Sequence, residues 1–151
     1  MTDCTITDIW IPYDIYAAHT NAIDDLMRAE GFINDGDSVN PNFQLFKNEE
    51  SDGGGSHLIY QLEYAEIPFA GFHGKGREYL SHVFTAIRGE KAEIPIHDDG
   101  RFYTHVKVYR GQIIVDQDAV VDMIRFRDLI RVFDGEYGNP HTGLFGDFIN
   151  D

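Results

Sequence analysis

The residues that could hold an anion lie in one glycine-rich segment, residues 71–77 (GFHGKGR), which starts at Gly71. Backbone N–H groups at a helix N-terminus, together with cationic side chains, bind phosphate groups. The apolar spacing after this segment predicts a helix over residues 75–87, so the segment is a candidate anion site. Its spacing matches neither a P-loop nor a dinucleotide-binding fold. The candidate anion-binding residues are Gly74, Lys75, Gly76 and Arg77.

Seven histidines raise the question of a metal site. Glu78 and His82 are four residues apart on the predicted helix, a spacing that can supply two ligands, and His97 precedes two aspartates. The sequence contains no H-E-x-x-H, H-x-H or EF-hand spacing, and its single cysteine, Cys4, excludes a cysteine-based zinc site. We therefore predict no metal site and no other cofactor.

Catalysis by a nucleophile or by paired carboxylates finds no support either. Cys4 follows Asp3, and a neighbouring carboxylate disfavours the reactive thiolate. Asp24 and Asp25 are consecutive, so on a helix they point about 100° apart and do not share a proton. No G-x-S-x-G motif is present. We predict no catalytic residues and favour a binding protein over an enzyme.

Charge is the most informative property of the composition. Residues 1–56 hold eleven carboxylates against two cations, residues 57–132 hold eleven against ten, and residues 133–151 hold four against none, for a net charge of −14. Such a field steers basic partners and repels nucleic acid and anionic membranes, although salt adaptation or an ordinary solvated surface would give similar acidity. Basic residues form no cluster, so we expect no direct nucleic-acid binding. The predicted partner-binding residues are Asp24, Asp25, Glu30, Glu49, Glu50, Asp52, Asp134 and Glu136.

Local patterns predict the elements that position these residues. Alternation, turn residues and helical periodicity predict strands and helices in one compact α+β domain, residues 1–151, with a mainly antiparallel sheet and about three helices. The predicted strands cover residues 5–11, 42–47, 57–64, 93–97, 102–109 and 112–116, the last two forming a hairpin around Arg110 and Gly111. The predicted helices cover residues 13–30, ended by Gly31, 75–87, and 119–133, capped by Asp118. Residues 48–56 (NEESDGGGS) are predicted to be a flexible acidic and glycine-rich loop.

The last predicted helix carries two apolar stripes instead of one. The first stripe suits the core, and the second mixes apolar side chains with arginines, which is typical of interface cores. We therefore predict a self-interface or partner interface on this helix. Its residues are Val120, Ile124, Arg127 and Arg131.

Small, acidic, cysteine-poor chains of this kind resemble, in composition only, the anti-restriction and anti-CRISPR inhibitors of phages and plasmids, and acidic immunity proteins. No residue pattern matches one particular family, so the resemblance assigns no site. It favours a non-enzymatic acidic protein that inhibits a basic partner, such as a nuclease or a DNA- or RNA-binding complex, by nucleic-acid mimicry. The alternatives are a small enzyme or ligand binder that uses residues 71–77, and an oligomeric assembly subunit. No signal peptide or membrane span is recognisable, so we expect a cytoplasmic protein.

Overall fold

A six-stranded antiparallel sheet, with strand order β2-β3-β1-β4-β5-β6, organises the chain in the computed structural model, and β7 and β8 form a separate two-stranded sheet. The structure describes residues 4–35, 41–52, 56–74, 80–96, 106–138 and 140. The strands are β1 (Cys4–Pro12), β2 (Ile33–Asp35), β3 (Phe43–Asp52), β4 (Phe69–His73), β5 (Ser81–Ile87), β6 (Glu90–Ile96), β7 (Val106–Tyr109) and β8 (Gln112–Val115). The helices are α1 (Tyr13–Ala18), α2 (Thr20–Ala29), α3 (Ser56–Tyr64) and α4 (Gln117–Tyr137). The predicted α+β class with an antiparallel sheet is confirmed.

Both faces of the large sheet are covered by helices. Side chains alternate along a strand, so consecutive residues enter different cores. Phe84 of β5 packs in the core beneath α1, α2 and α3, which we call the helix layer. Its neighbour Val83 packs on the opposite face in the core beneath α4, together with Phe126 and Ile130. The sheet is thus the middle layer of three.

The helix predicted over residues 13–30 is confirmed apart from a break at His19, which separates α1 from α2. The predicted stop at Gly31 is also correct. Gly31 has a positive φ of 80°, its N–H donates to the Arg28 carbonyl at 3.1 Å, and the Phe32 N–H donates to the Met27 carbonyl at 2.9 Å. This is the Schellman arrangement, which turns the chain from α2 into β2.

The strand predicted over residues 57–64 is wrong, because this segment is helix α3. Leu58, Ile59 and Leu62 are buried. They occupy positions i, i+1 and i+4, which lie on one face of a helix. Tyr60 and Tyr64, which a strand would place on the same face as Leu58 and Leu62, are instead exposed to 65% and 84%. The leucine and tyrosine alternation was therefore coincidental.

The helix predicted over residues 75–87 is also wrong where the structure describes it, because residues 81–87 form strand β5. β5 lies between β4 and β6 and is buried on both faces, so apolar residues occupy consecutive positions without alternation. A run of this kind has no two-residue period and resembles the buried part of a helix. Residues 75–79 lie outside the described ranges.

The predicted flexible loop at 48–56 is wrong over residues 48–52. β3 continues through Asp52 and pairs with β1, with Thr7 opposite Asn48 and Cys4 opposite Asp52. α3 then begins at Ser56, and residues 53–55 lie outside the described part of the chain. Backbone pairing with β1 overrides the poor strand propensity of the acidic side chains here.

The predicted hairpin is confirmed from residue 106 onward, while residues 102–105 of its first strand lie outside the described ranges, and the helix predicted over 119–133 extends over Gln117–Tyr137. Arg110 and Gly111 have φ values of 51° and 75°, and positive φ at both turn residues is what a two-residue hairpin turn of type I′ requires. The N-cap of α4 is Asp116 and not Asp118, because the Asp116 carboxylate accepts the Asp118 and Ala119 N–H groups at 3.0 and 3.3 Å. Within the described ranges, no helix is long and apolar enough to cross a bilayer.

Candidate functional site

The glycine-rich segment does not form the predicted anion loop where the structure describes it. Gly71 lies inside β4, and a Cβ atom there would sit 2.2 Å from the Phe84 ring and 2.8 Å from the Asp8 carbonyl oxygen. This glycine is therefore required by close packing between strands. Gly74 donates its N–H to the Ile6 carbonyl at 2.8 Å, which extends the pairing with β1. Strand β5 occupies residues 81–87 of the predicted helix, and the candidate residues Lys75, Gly76 and Arg77, where that helix was expected to begin, lie outside the described ranges.

The predicted acidic residues of α2 each have a local partner. Asp24 accepts a hydrogen bond from the Tyr16 hydroxyl at 2.9 Å, and burial, followed by this hydrogen bond, raises the pKa of Tyr16. Asp25 forms an exposed ion pair with Arg28 at 3.7 Å. Glu30, just beyond the helix, lies 2.6 Å from Nδ1 of His57 at the start of α3. The two shorter contacts restrict the carboxylates of Asp24 and Glu30 at the surface, whereas Asp25 stays exposed to solvent.

The helix layer collects more negative charge than the sequence analysis assigned to it. The segments 13–30 and 56–66, which form and flank its three helices, hold six carboxylates and one cation, Arg28. α3 and the turn after it contribute Glu63 and Glu66, from a segment counted as part of the neutral middle. Only Glu63 reaches a cation of the sheet among the contacts described, Lys91 at 3.4 Å. The acidic residues of the layer are Asp14, Asp24, Asp25, Glu30, Glu63 and Glu66.

The other predicted acidic residues lie elsewhere. Glu49 is exposed on β3, and Glu50 and Asp52 belong to the same strand, although their side chains lie outside the description. Asp134 and Glu136 lie on α4, across the sheet from α2, and Glu136 pairs with Arg88. The two acidic ends approach each other at one place, where residues 14 and 136 line the same cavity of about 380 Å³.

The outward surface of α4 is apolar along a line different from the predicted one. Ile124 is 45% exposed and lines a groove of about 480 Å³ beside the sheet edge, together with the exposed Val121 and Val132. The other residues of the predicted stripe, Val120, Arg127 and Arg131, are half-buried. The β7–β8 hairpin adds exposed apolar side chains that the sequence analysis did not consider. They are Val106, Val108, Tyr109, Ile113, Ile114 and Val115.

A cluster of two histidines and one glutamate lies on the helix-layer face of the sheet. His73 and His82 face each other directly on β4 and β5, and their rings stack with centroids 4.8 Å apart. Glu93 on β6 is opposite Phe84, two residues along β5 from His82, and therefore projects from the same face. One Glu93 carboxylate oxygen lies 3.6 Å from Nε2 of His73 and 4.0 Å from Nε2 of His82.

Burial shapes the protonation of this cluster. His73 is buried, whereas His82 and Glu93 are partly exposed. Burial lowers the pKa of His82, which favours its neutral form. The polar contact with His73 lowers the pKa of Glu93 against the opposing effect of burial, so Glu93 is held as a carboxylate. Two imidazoles and one carboxylate are the ligand types that divalent transition metals accept.

The sequence analysis missed His73 and Glu93 and paired His82 with Glu78 instead. Glu78 and His97, the other residues considered as ligands, lie outside the described ranges. The missing signal was register, because His73 and His82 are brought together only if residues 81–87 form a strand antiparallel to β4. The predicted helix concealed this pairing.

Comparison with known proteins identifies no relative. No protein-family model matches the chain, no curated protein matches its sequence, and no solved structure matches its fold. Function is therefore inferred from charge, exposure and geometry.

Proposed function

We propose that this protein is a non-enzymatic acidic binding protein that inhibits a basic, nucleic-acid-handling partner in the cytoplasm. The observation that carries the proposal is the charge of the helix layer, where six carboxylates are accompanied by one cation within the helical segments. The layer covers one face of a sheet whose other face is occupied by α4, so its charge is directed to one side of the molecule. A one-sided field of this kind attracts cationic surfaces.

Affinity in this mode comes from many weak contacts. An exposed ion pair contributes about 0–1 kcal/mol, so several carboxylates must act together. Duplex DNA carries one phosphate charge per about 1.7 Å of its axis, and a protein groove built for that array also accepts a rigid array of carboxylates. Asp24 and Glu30 are held in place by Tyr16 and His57, which reduces the ordering cost of binding.

The test compares two variants that remove equal charge from opposite faces. In the first, Asp24→Asn, Asp25→Asn and Glu30→Gln neutralise the helix layer. In the control, three exposed aspartates of α4 are changed to Asn. The control positions are Asp118, Asp122 and Asp128.

The immobilised wild-type protein captures partners from lysate at low salt, and the captured proteins are identified. The association kinetics of each captured protein with the wild type and the two variants are then measured. We expect a basic partner whose binding weakens between about 0.1 and 0.5 M salt, because screening shortens the range of surface charges. DNA should compete for it. The helix-layer variant should associate several-fold more slowly, and the α4 control should associate normally. If neither the salt change nor the helix-layer variant alters affinity, the acidity is a solvated surface and the proposal fails.

A second candidate function, an oligomeric assembly subunit, is favoured by the exposed apolar line on α4. Val121, Ile124 and Val132 lie along one side of the helix and open onto one groove. Exposed apolar grooves with flanking charges are typical of protein interfaces. The remaining alternative, a ligand binder that uses Gly71 to Arg77, stays a prediction, because residues 75–79 lie outside the described ranges.

A further inference from the structure

The histidine and glutamate cluster has the construction of a metal centre. His73, His82 and Glu93 come from three adjacent strands of the sheet, and their candidate ligand atoms all lie within 4.8 Å of one another. Strands of a packed sheet hold side chains more rigidly than loops do. The fully buried Phe84 lies beside the site, with its ring 6.3 Å from that of His73. The site thus combines polar ligands with an apolar wall.

Backbone carbonyls determine which nitrogen of each ring faces the carboxylate. Nδ1 of His82 lies 2.7 Å from the Leu80 carbonyl oxygen, and Nδ1 of His73 lies 3.4 Å from that of Gly74. A carbonyl only accepts hydrogen bonds, so the 2.7 Å contact places a proton on Nδ1 of His82 and leaves the lone pair of its neutral ring on Nε2. Both Nε2 atoms are directed at the same oxygen of Glu93. Metal-binding histidines are oriented by this kind of backbone contact.

The distances are close to those of a coordinated ion. Zinc binds nitrogen and oxygen at about 2.1 Å, so two ligands of a tetrahedral site are about 3.4 Å apart. The observed separations of 3.6 and 4.0 Å exceed this value by about 0.2 and 0.6 Å, and all three candidate ligand atoms lie within 4.8 Å of one another, so small side-chain movements would close the site around an ion. A divalent cation between the three groups would accept lone pairs from the imidazole nitrogens and balance the charge of the Glu93 carboxylate.

We propose that His73, His82 and Glu93 bind one divalent transition-metal ion of the zinc class, through the two Nε2 atoms and the carboxylate. Three protein ligands leave a fourth position for water or another ligand. None of its three ligands is among the six carboxylates of the helix layer, and metal binding needs no protein partner. Its test therefore succeeds or fails independently of the proposed inhibitory function.

The experiment titrates the metal-free full-length protein with Zn²⁺ by calorimetry. The site variants are His82→Asn and Glu93→Gln, both at partly exposed positions. The matched control is His57→Asn, because His57 also contacts a glutamate, Glu30 at 2.6 Å, but on the exposed surface of the helix layer. Circular dichroism confirms that each variant is folded. We expect one zinc per wild-type chain, binding weakened about tenfold or more in both site variants, and unchanged binding in the control.

Cobalt(II) provides a second measurement that needs no variant. Its visible absorption intensifies when it enters a four-coordinate site, and a millimolar excess of Mg²⁺, which prefers oxygen ligands, should not displace it. Lack of saturable zinc binding by the wild-type protein overturns the proposal. So does zinc binding of equal strength in the wild type, the two site variants and the control, because the ion is then held elsewhere. Displacement of cobalt by Mg²⁺ also overturns it, since nitrogen ligands would not be involved.

Discussion

Replacing Gly71 by alanine should damage the fold more than any ordinary surface substitution. The added Cβ would lie 2.2 Å from two atoms of the Phe84 ring and 2.8 Å from the Asp8 carbonyl oxygen. The Phe84 ring cannot swing away, because it is fully buried and packs edge-on against Phe69 at 6.0 Å. Overpacking a rigid core lowers the free energy of unfolding by about 1–3 kcal/mol. Because the new Cβ is too close to atoms on both sides, we expect Gly71→Ala to lower it by about 3 kcal/mol.

Urea unfolding followed by the fluorescence of Trp10, the single tryptophan, measures this change, with circular dichroism as a second probe. A loss of about 3 kcal/mol also lowers the melting temperature by about 6–12 °C for a chain of this size. The matched control is Gly135→Ala on α4, where the structure places no atom within 4 Å of the new Cβ. There the same substitution should stabilise the protein by about 0.5–1 kcal/mol, because alanine favours a helix over glycine.

A double-mutant cycle with Phe84→Leu tests the cause. The smaller side chain costs about 1.5 kcal/mol by itself but makes room for the methyl group at position 71. The two substitutions together should be less destabilising than their sum by about 1–2 kcal/mol, with full rescue prevented by the Asp8 carbonyl. Additive effects, or a Gly71→Ala protein within about 0.5 kcal/mol of wild type, would refute the packing explanation.

Three other predictions concern a helix cap, a buried carboxylate and the α4 surface. Asp116→Ala should lower the free energy of unfolding, measured in urea, by about 1 kcal/mol, because it removes the N-cap of α4. Asp118→Ala should lower it by only about 0.5 kcal/mol. The reverse order would contradict the assigned cap. Burial raises the pKa of Asp8, so the folded state holds this proton more tightly than the unfolded state does. The free energy of unfolding of the wild type, relative to that of Asp8→Asn, should therefore fall as the pH rises from about 4 through the raised pKa. A difference between the two proteins that stays constant from about pH 4 to 8 would exclude this effect. Val121→Asp with Ile124→Asp, both at exposed positions of α4, should dissociate any assembly formed through this helix and leave the fold intact, as measured by sedimentation. A wild-type protein that is monomeric at high concentration and has no partner would contradict this prediction.

Local physical chemistry was enough to predict several elements from the sequence. The alternation before Pro12 predicted β1, and Gly31 marked the end of α2, because the chain needs a positive φ there. The turn at Arg110 and Gly111 predicted the β7–β8 hairpin for the same reason. These features depend on residues that are neighbours in the chain, so no knowledge of the tertiary structure was needed.

β5 was mispredicted because burial on two faces removes the alternation of apolar residues, and α3 was mispredicted because a chance alternation of leucine and tyrosine imitates a strand. β5 is covered by the helix layer on one side and by α4 on the other, so Val83 and Phe84 are both buried although they point in opposite directions. A strand of this kind has no alternation from which to recognise it. In α3, only the positions of Leu58 and Leu62 against the sheet distinguish a helix from the strand that the alternation suggested.

The sequence by itself determined the composition of the surface and the absence of familiar catalytic motifs, since both are properties of residue type and spacing. The tertiary structure alone decided which charges share a face and which side chains meet. Glu63 joins the acidic residues of α2 because α3 packs beside them on the same face of the sheet. His73, His82 and Glu93 are nine and eleven residues apart in the chain, and they converge because the strand register places them on neighbouring strands with the same orientation. Register depends on long-range backbone pairing, which no local pattern in this sequence encodes.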